Sequence, residues 1–318
     1  MSRPVRVGLL GLGTVGGAVA KAMGERAKRL EASAGHPLEL AGACVRDATK
    51  PRGVDARLVT DAFEILDDES IQIVVEVIGG HRPALDLHLA AFERGKHVVT
   101  ANKEVVAKEW RVLHEAARSA KRELRFEAAV AAAVPVVAAA RALGAVRPRI
   151  LSGLVNGTTT YICSRIEAGA GFDEALREAQ AKGYAEADPS ADVDGWDAAY
   201  KLSILVSLLE GRWFRPEQVS RTSLRSLTVD AVREAASRDR RIRYLAVADF
   251  GERATKARVG PEEVSSSSLE GQASGPTNVV RIETDLAGTL TFMGPGAGGD
   301  ATASAILGDV IQIARGLR

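Results

Sequence analysis

A glycine-rich loop near the amino terminus constrains the fold of this 318-residue chain more than any other feature. The loop, Gly11-Leu12-Gly13-Thr14-Val15-Gly16, follows the short apolar run 5–10 and precedes a segment with helical periodicity. In a GxGxxG loop between a strand and a helix, the first glycine permits a tight turn and the second lets the backbone approach a pyrophosphate. The third lets helix and strand pack closely. Because the start of the helix also presents unpaired N–H groups to phosphates, the loop predicts a dinucleotide site.

The first 135 residues alternate apolar runs with helical segments. The predicted strands are 5–10, 38–45, 71–78, 97–100 and 124–127, and the predicted helices are 15–31, 83–94 and 103–120. Strands separated by helices of this length are typical of a parallel, doubly wound sheet. We therefore predict a Rossmann-type α/β domain over residues 1–135.

The pattern changes in the second half of the chain. An extended segment at 150–156 is followed by predicted helices at 158–168, 172–182 and 195–209, and by β-like segments at 243–250, 256–260 and 278–283. Serines 265–268 are expected to form an exposed loop, and residues 294–318 a glycine-rich loop followed by a helix. This pattern predicts a second, α+β domain over residues 136–293.

Composition excludes several classes of partner. The chain has 42 basic and 41 acidic residues, so no field of one sign is available to attract nucleic acid or an anionic membrane. Cys44 and Cys163 are too far apart in sequence for a disulfide framework, which favours a reducing compartment. The longest apolar stretch, 128–140, is shorter than the roughly 20 residues that span a bilayer. We expect a cytoplasmic protein that binds a small molecule.

The residues after the second predicted strand bear on the choice of dinucleotide. The segment reads Cys44-Val-Arg46-Asp47 and continues to Lys50 and Arg52. A carboxylate here suits the ribose hydroxyls of NAD, whereas arginine suits the 2′-phosphate of NADP. The basic cluster led by Arg46 favours NADP, while Asp47 leaves NAD open. The alternative is that these are solvated loop charges.

Two lysines are candidates for proton transfer, because all five histidines lie in the first domain. Lys103 follows Thr100-Ala-Asn102 at the carboxyl end of a predicted strand, where open α/β sheets bind ligands. Lys201 lies four residues after Asp197 on a predicted apolar helix, so both side chains share one face. Spacing alone favours an ordinary surface ion pair.

The loop before that helix is rich in acid. Residues 183–194 contain four carboxylates, without EF-hand spacing and without a histidine. Such a group can bind an ammonium, bind a divalent cation or be solvated. Beside a candidate catalytic lysine, it indicates a substrate that carries an ammonium, and hence an amino acid.

Five segments together resemble the homoserine dehydrogenase family. They are GLGTVGGAV (11–19), TANKEVVA (100–107), NGTT (156–159), GYAEADPSADVDGWDAAYKL (183–202) and GPGAGGDATASAILGD (294–309). They occur in the family's order and extend over essentially the whole chain. The resemblance implies reversible, NAD(P)H-dependent reduction of L-aspartate 4-semialdehyde to L-homoserine, in the biosynthesis of threonine, methionine and isoleucine.

The resemblance also implies roles for individual residues. Lys201 would donate the proton to the aldehyde oxygen, and Lys103 would lie beside cofactor and substrate. The substrate would be bound by Glu186, Asp192, Asp197, Gly157 and Thr158. Further cofactor contacts would come from Ile78, Thr100, Gly183, Gly298 and Gly299, so that residues 294–318 complete the first domain. The second domain would supply the interface of a homodimer.

The family also binds a monovalent cation, sodium. Here the resemblance implies Glu127 and the backbone carbonyls of Val130, Ala132 and Val134. The family has adjacent glycines in this loop, whereas residues 131–133 are alanines. Because alanine disfavours positive φ, any left-handed residue in the loop is expected to be strained. Thr160 replaces the asparagine common after NGTT, and the chain ends too soon after its last helix for the threonine-binding regulatory domain of many relatives.

Three alternatives stay open on the residues alone. A related semialdehyde or imine reductase would share the two-domain plan. Aspartate-semialdehyde dehydrogenase needs a nucleophilic cysteine, but Cys163 lies in an apolar helical run without a nearby histidine, so packing is favoured. A non-catalytic dinucleotide-binding sensor would keep the glycine loop but need not keep Lys103 and Lys201.

Overall fold

The computed structural model describes residues 3–317 and divides the chain into two compact units. The first runs up to Ala133 and resumes at Gly298, and the second is Val134–Ala297. The sequence predicts these boundaries after residue 135 and before residue 294.

The first unit contains a six-stranded parallel sheet in the order β3-β2-β1-β4-β5-β6. The strands are β1 (Val5–Leu10), β2 (Leu38–Cys44), β3 (Arg57–Val59), β4 (Ile73–Glu76), β5 (His97–Thr100) and β6 (Leu124–Arg125). This order is that of dinucleotide-binding folds, which confirms the predicted fold class. The order reverses between β1 and β4, and the crevice outside the carboxyl ends of these strands is where such sheets bind ligands.

Helices flank this sheet, and the last one closes its core. They are α1 (Thr14–Glu25), α2 (Ala27–Ala34), α3 (Phe63–Leu66), α4 (Ala84–Glu93), α5 (Lys103–Lys108), α6 (Trp110–Ser119) and α14 (Gly299–Gly316). Ile306 and Val310 of α14 are buried in the same cluster as Val7 and Leu9 of β1. The carboxyl-terminal helix therefore completes the core of the amino-terminal unit.

The second unit contains a mixed sheet in the order β12-β11-β7-β9-β10-β8. Its strands are β7 (Pro148–Leu154), β8 (Val219–Arg221), β9 (Arg240–Phe250), β10 (Thr255–Ser265), β11 (Thr277–Thr284) and β12 (Thr289–Pro295). Its helices are α7 (Val136–Ala142), α8 (Gly157–Glu167), α9 (Phe172–Ala181), α10 (Ser190–Val193), α11 (Trp196–Glu210), α12 (Val229–Ser237) and α13 (Leu269–Gln272). Helices α8, α11 and α12 pack against β9. No helix between residues 3 and 317 is long and apolar enough to cross a bilayer.

Several sequence-based boundaries are wrong. The helix predicted over 15–31 is interrupted at Arg26, and the one over 103–120 at Glu109. The strand predicted over 71–78 extends only from Ile73 to Glu76. The Val77 amide still bonds to the Leu10 carbonyl oxygen of β1, but the Ile78 and Gly79 amides bond to the Glu76 side chain instead of a neighbouring strand. The structure also contains the short strand β3, helix α12 and edge strand β12, which were not predicted. Ser268 ends its predicted loop by capping α13 through a bond from the Gly271 amide.

Candidate active site

The three glycines of the GxGxxG loop meet three different spatial requirements. Gly11 has φ +104°, and a Cβ there would lie 2.9 Å from the Val77 carbonyl oxygen. A Cβ on Gly16 would lie 2.2 Å from the Gly11 carbonyl oxygen, so only glycine lets α1 start this close to β1. A Cβ on Gly13 would meet nothing within 4 Å. The loop thus leaves open space at the glycine where a pyrophosphate approaches the backbone.

A cavity of about 460 Å³ lies beside this loop, a size typical of small-molecule sites. Leu12, Arg46, Arg52 and Ile78 are among its lining residues. Arg46 is exposed, and the Arg52 guanidinium donates to the Leu12 carbonyl oxygen at 3.2 Å. Exposed Ile78 offers an apolar surface in the same wall. A larger cavity, about 530 Å³, lies between α1, α2 and α14 and includes no strand-end residue among its lining.

Asp47 is occupied by a local turn. Its Oδ1 accepts hydrogen bonds from the Thr49 hydroxyl at 2.6 Å and the Thr49 amide at 3.0 Å. These bonds hold the pKa of the Asp47 carboxyl below its ordinary value. Of the adjacent residues Arg46 and Asp47, Arg46 is the one that lines the cavity.

The start of α14 lies against the glycine loop. Gly298 has φ +112°, which favours glycine, and a Cβ on Gly299 would lie 3.2 Å from the Thr14 carbonyl oxygen. The structure therefore brings Gly298 and Gly299 beside Thr14, although their sequence separation is large.

Lys103 is the first residue of α5, and the chain before it is tightly bonded. Asn102 caps the helix, its Oδ1 accepting from the Val105 amide at 3.3 Å. The Thr100 hydroxyl donates to Glu76 Oε2 at 2.7 Å and accepts from the Asn102 amide at 2.9 Å. Glu76 was not a sequence-based candidate, because a single acid inside an apolar run shows no spacing signal. Fully buried Thr100 has its hydroxyl committed within the protein.

In the second unit, Lys201 and Asp197 form a nearly buried ion pair. Lys201 Nζ lies 2.7 Å from Asp197 Oδ2 and 2.6 Å from the Val155 carbonyl oxygen. Their side chains are 12% and 8% exposed, respectively. The pair is therefore more than an ordinary surface bridge. Gly195 directly precedes this helix with φ +82°, and a Cβ there would lie 2.6 Å from the Tyr244 hydroxyl.

Asn156, for which no role was predicted, joins this pair to the acidic loop. Its Nδ2 donates to Asp197 Oδ2 at 2.8 Å and to Asp192 Oδ1 at 2.7 Å. Its Oδ1 accepts from the Thr159 amide at 2.9 Å, which caps α8. The signal was available, since asparagine directly before a predicted helix is a typical N-cap.

The four carboxylates of the acidic loop have different environments. Asp188 accepts from the Ser190 amide, and Asp194 accepts from the Ser223 hydroxyl at 2.6 Å, so both have local structural bonds. Asp192 is joined to Asn156. Glu186 is exposed, and within residues 3–317 no hydrogen bond connects its carboxylate to the Asn156 network.

Gly157, Thr158 and Gly183 occupy defined places near this network. Gly157 begins α8, where a Cβ would lie 3.2 Å from the Pro276 Cα atom. The buried Thr158 hydroxyl donates to the Tyr184 carbonyl oxygen at 2.6 Å, joining α8 to the acidic loop. Gly183 has φ +73° directly after α9. Thr160 returns its hydroxyl to the Asn156 carbonyl oxygen at 2.9 Å.

The loop after β6 contains the expected strain. Ala131 and Ala132 have φ of 56° and 44°, and left-handed alanine costs roughly 1–2 kcal/mol per residue. Glu127 is buried, and its amide donates to Asp309 Oδ2 at 2.8 Å. No cluster of three or more His, Cys, Asp or Glu side chains suited to a metal occurs in the described part of the chain.

Neither cysteine has the environment of a nucleophile. Cys163 is fully buried, which raises the pKa of its thiol to about 12. Burial, together with the charges of Asp61 and Glu64, also raises the pKa of Cys44. Because the thiolate is the nucleophilic form, the chemistry must come from other groups.

The parallel sheet, the glycine loop with its cavity and the buried lysine–carboxylate network define a dinucleotide-dependent oxidoreductase. Comparison with known proteins agrees. The family model described as "Homoserine dehydrogenase, NAD binding domain" matches residues 11–127, and the one described as "Homoserine dehydrogenase" matches residues 135–311. The homoserine dehydrogenase of Mycobacterium tuberculosis is 41% identical over 321 residues, 98% of this chain and 73% of its own length. That of Pseudomonas aeruginosa is 38% identical over 99% of this chain and 73% of its length.

Solved structures show the same relationship. A homoserine dehydrogenase from Thiobacillus denitrificans superposes with a TM-score of 0.95 at 39% identity, covering 98% of this chain and 74% of that one. A hyperthermophilic archaeal homoserine dehydrogenase in complex with NADPH has a TM-score of 0.84 at 26% identity, covering 99% of both chains. The chain belongs to the homoserine dehydrogenase family, as its motifs indicate, and is an NAD(P)-dependent oxidoreductase.

Proposed function

We propose that this protein catalyses the reversible reduction of L-aspartate 4-semialdehyde to L-homoserine, with Lys201 as the proton donor. One observation carries the proposal: the Lys201 ammonium is held between Asp197 Oδ2 and the Val155 carbonyl oxygen, nearly buried. These two acceptors fix the amine in one place. When the aldehyde is reduced, Lys201 gives a proton from Nζ to the carbonyl oxygen, and Asp197 orients that amine.

The bound cofactor supplies the hydride to the aldehyde carbon. The residues present fit such a group, because Gly13 leaves open space beside the glycine loop and a cavity of about 460 Å³ adjoins it. In our proposal the dinucleotide is held by residues 11–16, Arg46, Ile78, Thr100, Lys103, Gly183, Gly298 and Gly299. The amide groups at the start of α1 would bind its phosphates.

The substrate ammonium is assigned to the acidic residues. Asp192 and Asp197 are already joined through the Asn156 amide, which keeps the two carboxylates close together. A substrate ammonium would add positive charge to this acidic group, which favours its binding. We propose that Glu186 binds the same amine and that Gly157 and Thr158 lie beside the substrate. Lys103 is assigned to cofactor and substrate together.

We infer NADP as the preferred coenzyme, with NAD as the second choice. Arg46 and Arg52 line the cavity, while Asp47, the residue that would favour NAD, is bonded to Thr49. An arginine beside the ribose can pair with a 2′-phosphate. The hyperthermophilic archaeal relative was solved in complex with NADPH, which agrees.

A monovalent cation, sodium, is also proposed, bound by Glu127 and the carbonyls of Val130, Ala132 and Val134. The strained alanines support it: a bound cation would offset the cost of φ values of 56° and 44° at Ala131 and Ala132. Replacing sodium in the assay by a bulky organic cation should lower activity. Activity that is indifferent to this exchange removes the cation from the proposal.

We further propose a cytoplasmic homodimer whose interface lies on the second unit. Two apolar side chains of that unit support it, because Leu286 and Met293 are 77% and 52% exposed, and exposed apolar surface marks interfaces. Light scattering at micromolar concentration should give twice the chain mass. A monomer at that concentration contradicts the assembly.

The decisive experiment is homoserine oxidation assayed with NADP⁺ and with NAD⁺ separately. We expect turnover with both and a higher kcat/KM with NADP⁺. A non-catalytic sensor, the alternative class, would bind the coenzyme but show no turnover of homoserine. A related semialdehyde or imine reductase would also leave homoserine unreacted, but would turn over its own substrate with the same coenzyme.

A further inference from the structure

A buried carboxylate at the end of β4 lies outside the chemistry described so far. Glu76 is 0% exposed. Its Oε1 accepts from the Ile78 amide at 2.7 Å and the Gly79 amide at 3.2 Å. Its Oε2 accepts from the Thr100 hydroxyl at 2.7 Å and is 3.0 Å from His88 Nε2. Four neighbouring polar groups on two oxygens match the acceptor capacity of an ionised carboxylate.

His88 completes this arrangement as a donor. It is also 0% exposed, and in the described part of the chain its Nδ1 has no hydrogen-bond partner. A proton on Nδ1 would be a buried donor without an acceptor, which costs more than an unused lone pair. We therefore assign the proton to Nε2, from which His88 donates to Glu76 Oε2. Burial alone would raise the pKa of the Glu76 carboxyl, but the bonds from His88, Thr100 and Gly79 hold it below its ordinary value.

One arm of this cluster reaches the wall of the dinucleotide cavity. Gly79 and Gly80 have φ of +80° and +73°, so the chain turns sharply after Ile78. Glu76 binds the start of this turn through two amides, and Asn102 Nδ2 binds its end at the Gly80 carbonyl oxygen, 2.7 Å away. Ile78, whose side chain lines the cavity, is thus held from both sides.

The other arm reaches Lys103. The Thr100 hydroxyl donates to Glu76 and accepts from the Asn102 amide at 2.9 Å. Asn102 in turn caps helix α5, which begins at Lys103. The same carboxylate is therefore bonded, directly or through one hydroxyl, to both segments at the carboxyl ends of β4 and β5.

We propose that Glu76 is a positioning residue, which fixes the Ile78 wall through two backbone amides and fixes Lys103 through Thr100 and Asn102. The proposal rests on the cofactor and substrate roles proposed above for Ile78 and Lys103. Fold stability alone does not call for an ion here, because a packed apolar side chain often replaces a buried charge without loss. The Val77 amide still bonds to the Leu10 carbonyl oxygen of β1, and the next two amides bond to the Glu76 carboxylate.

Two variants separate the arms. Glu76→Gln replaces one acceptor oxygen by a donor and so disturbs both arms; we expect the NADPH dissociation constant to rise about 10-fold and kcat to fall about 10-fold. Thr100→Val removes only the hydroxyl and so disturbs only the Lys103 arm; we expect kcat to fall about 10-fold. Thr100→Ser restores the hydroxyl and should recover kcat. Hydrogen exchange at the Ile78 and Gly79 amides should accelerate in Glu76→Gln only.

Lys96→Met is the matched control. Lys96 is also buried, and its Nζ donates to the carbonyls of Asp68 and Ile71 at 2.7 and 2.9 Å, before β4 begins. Its loss should lower the thermal midpoint but leave NADPH binding and kcat within about 2-fold. Because NADPH binding by nicotinamide fluorescence and hydrogen exchange need no turnover, the Ile78 arm remains testable even if homoserine is not the substrate.

Three results overturn the positioning role. They are a folded Glu76→Gln protein with wild-type NADPH binding and kcat, equal losses in Lys96→Met, or identical kcat values in Thr100→Val and Thr100→Ser. Should Glu76→Gln fail to fold, the Thr100 pair alone decides.

Discussion

Two helices of this protein carry the same pair of charges at the same spacing, and only one pair is nearly buried. In α11, Asp197 and Lys201 approach to 2.7 Å with side chains 8% and 12% exposed. In α5, Glu104 and Lys108 also approach to 2.7 Å, but with side chains 30% and 32% exposed. An i,i+4 acid–lysine pair is therefore compatible with two very different environments.

The difference lies in what surrounds the α11 pair. Asp197 also accepts from Asn156, and Lys201 also donates to the Val155 carbonyl oxygen, so both groups are held by the loop between β7 and α8. Burial reduces screening by water, which strengthens each of these interactions and also makes each group costly to leave without its partner. Spacing alone favoured an ordinary surface pair for Asp197 and Lys201, whereas the bonds to Asn156 and the Val155 carbonyl oxygen make them part of a nearly buried network.

The largest expected effect is on turnover. Lys201→Ala removes the proposed proton donor and should lower kcat by about 100-fold or more, because acid–base groups contribute roughly 10²–10⁴-fold. Lys108→Ala, the matched change in the partly buried pair of α5, should leave kcat within about 2-fold. Steady-state homoserine oxidation measures both, with NADPH binding by fluorescence as the check on folding. Unchanged turnover in Lys201→Ala would remove its role.

The next effect is on stability. Asp197→Ala leaves a nearly buried ammonium without its carboxylate and should lower the free energy of unfolding by about 3 kcal/mol. Glu104→Ala breaks a pair whose side chains are 30% and 32% exposed and should cost about 0.5–1 kcal/mol. Urea unfolding of both variants tests this. Equal losses would mean that burial does not distinguish the two pairs.

A smaller effect is expected at the coenzyme cavity, where adjacent residues show a similar contrast. Asp47 is bonded to Thr49, whereas Arg46 is exposed and lines the cavity. Arg46→Ala should raise KM for NADP⁺ about 10-fold more than KM for NAD⁺. The reason is that a hydrogen bond between charged groups, such as arginine and phosphate, contributes roughly 1.5–3 kcal/mol. Asp47→Asn is the control and should not change the ratio. Equal effects on both coenzymes in Arg46→Ala would argue against phosphate recognition.

The smallest effect is a change in acid sensitivity, and it compares a buried carboxylate with an exposed one. The pKa of the Glu76 carboxyl is lowered from 4.5 in the folded protein, mainly because bonds from His88 and Thr100 outweigh burial. Its contribution to stability is therefore complete above the unfolded pKa and is lost as pH falls through the lower folded pKa.

Glu76→Gln removes that titration, so its stability should fall less than that of the wild type between about pH 5 and pH 3. Glu104→Gln serves as the exposed control and should follow the wild type. Urea unfolding at several pH values measures the slopes. Parallel slopes in Glu76→Gln and wild type would contradict the lowered pKa.

Much of the fold was readable in the sequence because it depends on local pattern. The glycine loop, the apolar strands β1 and β5 and the amphipathic α4 follow from periodicity and from where glycine is needed. Breaks at Arg26 and Glu109 were not readable, because residues that favour helices continue through both positions, where the backbone nevertheless leaves the helical conformation with φ of −114° and −112°. Strand β12 was missed because its residues alternate without a strong apolar face.

The sequence by itself determined which chemistry is available: a glycine loop for a dinucleotide, a lysine four residues after an aspartate, and a run of carboxylates. Only the tertiary structure decided which of these groups are buried and bonded together. It brought Asn156 between Asp192 and Asp197, and bonded Asp188 and Asp194 to serines instead. The physical reason is that a side chain's charge and reach are local properties, whereas its desolvation and its partners are contributed by residues distant in the chain.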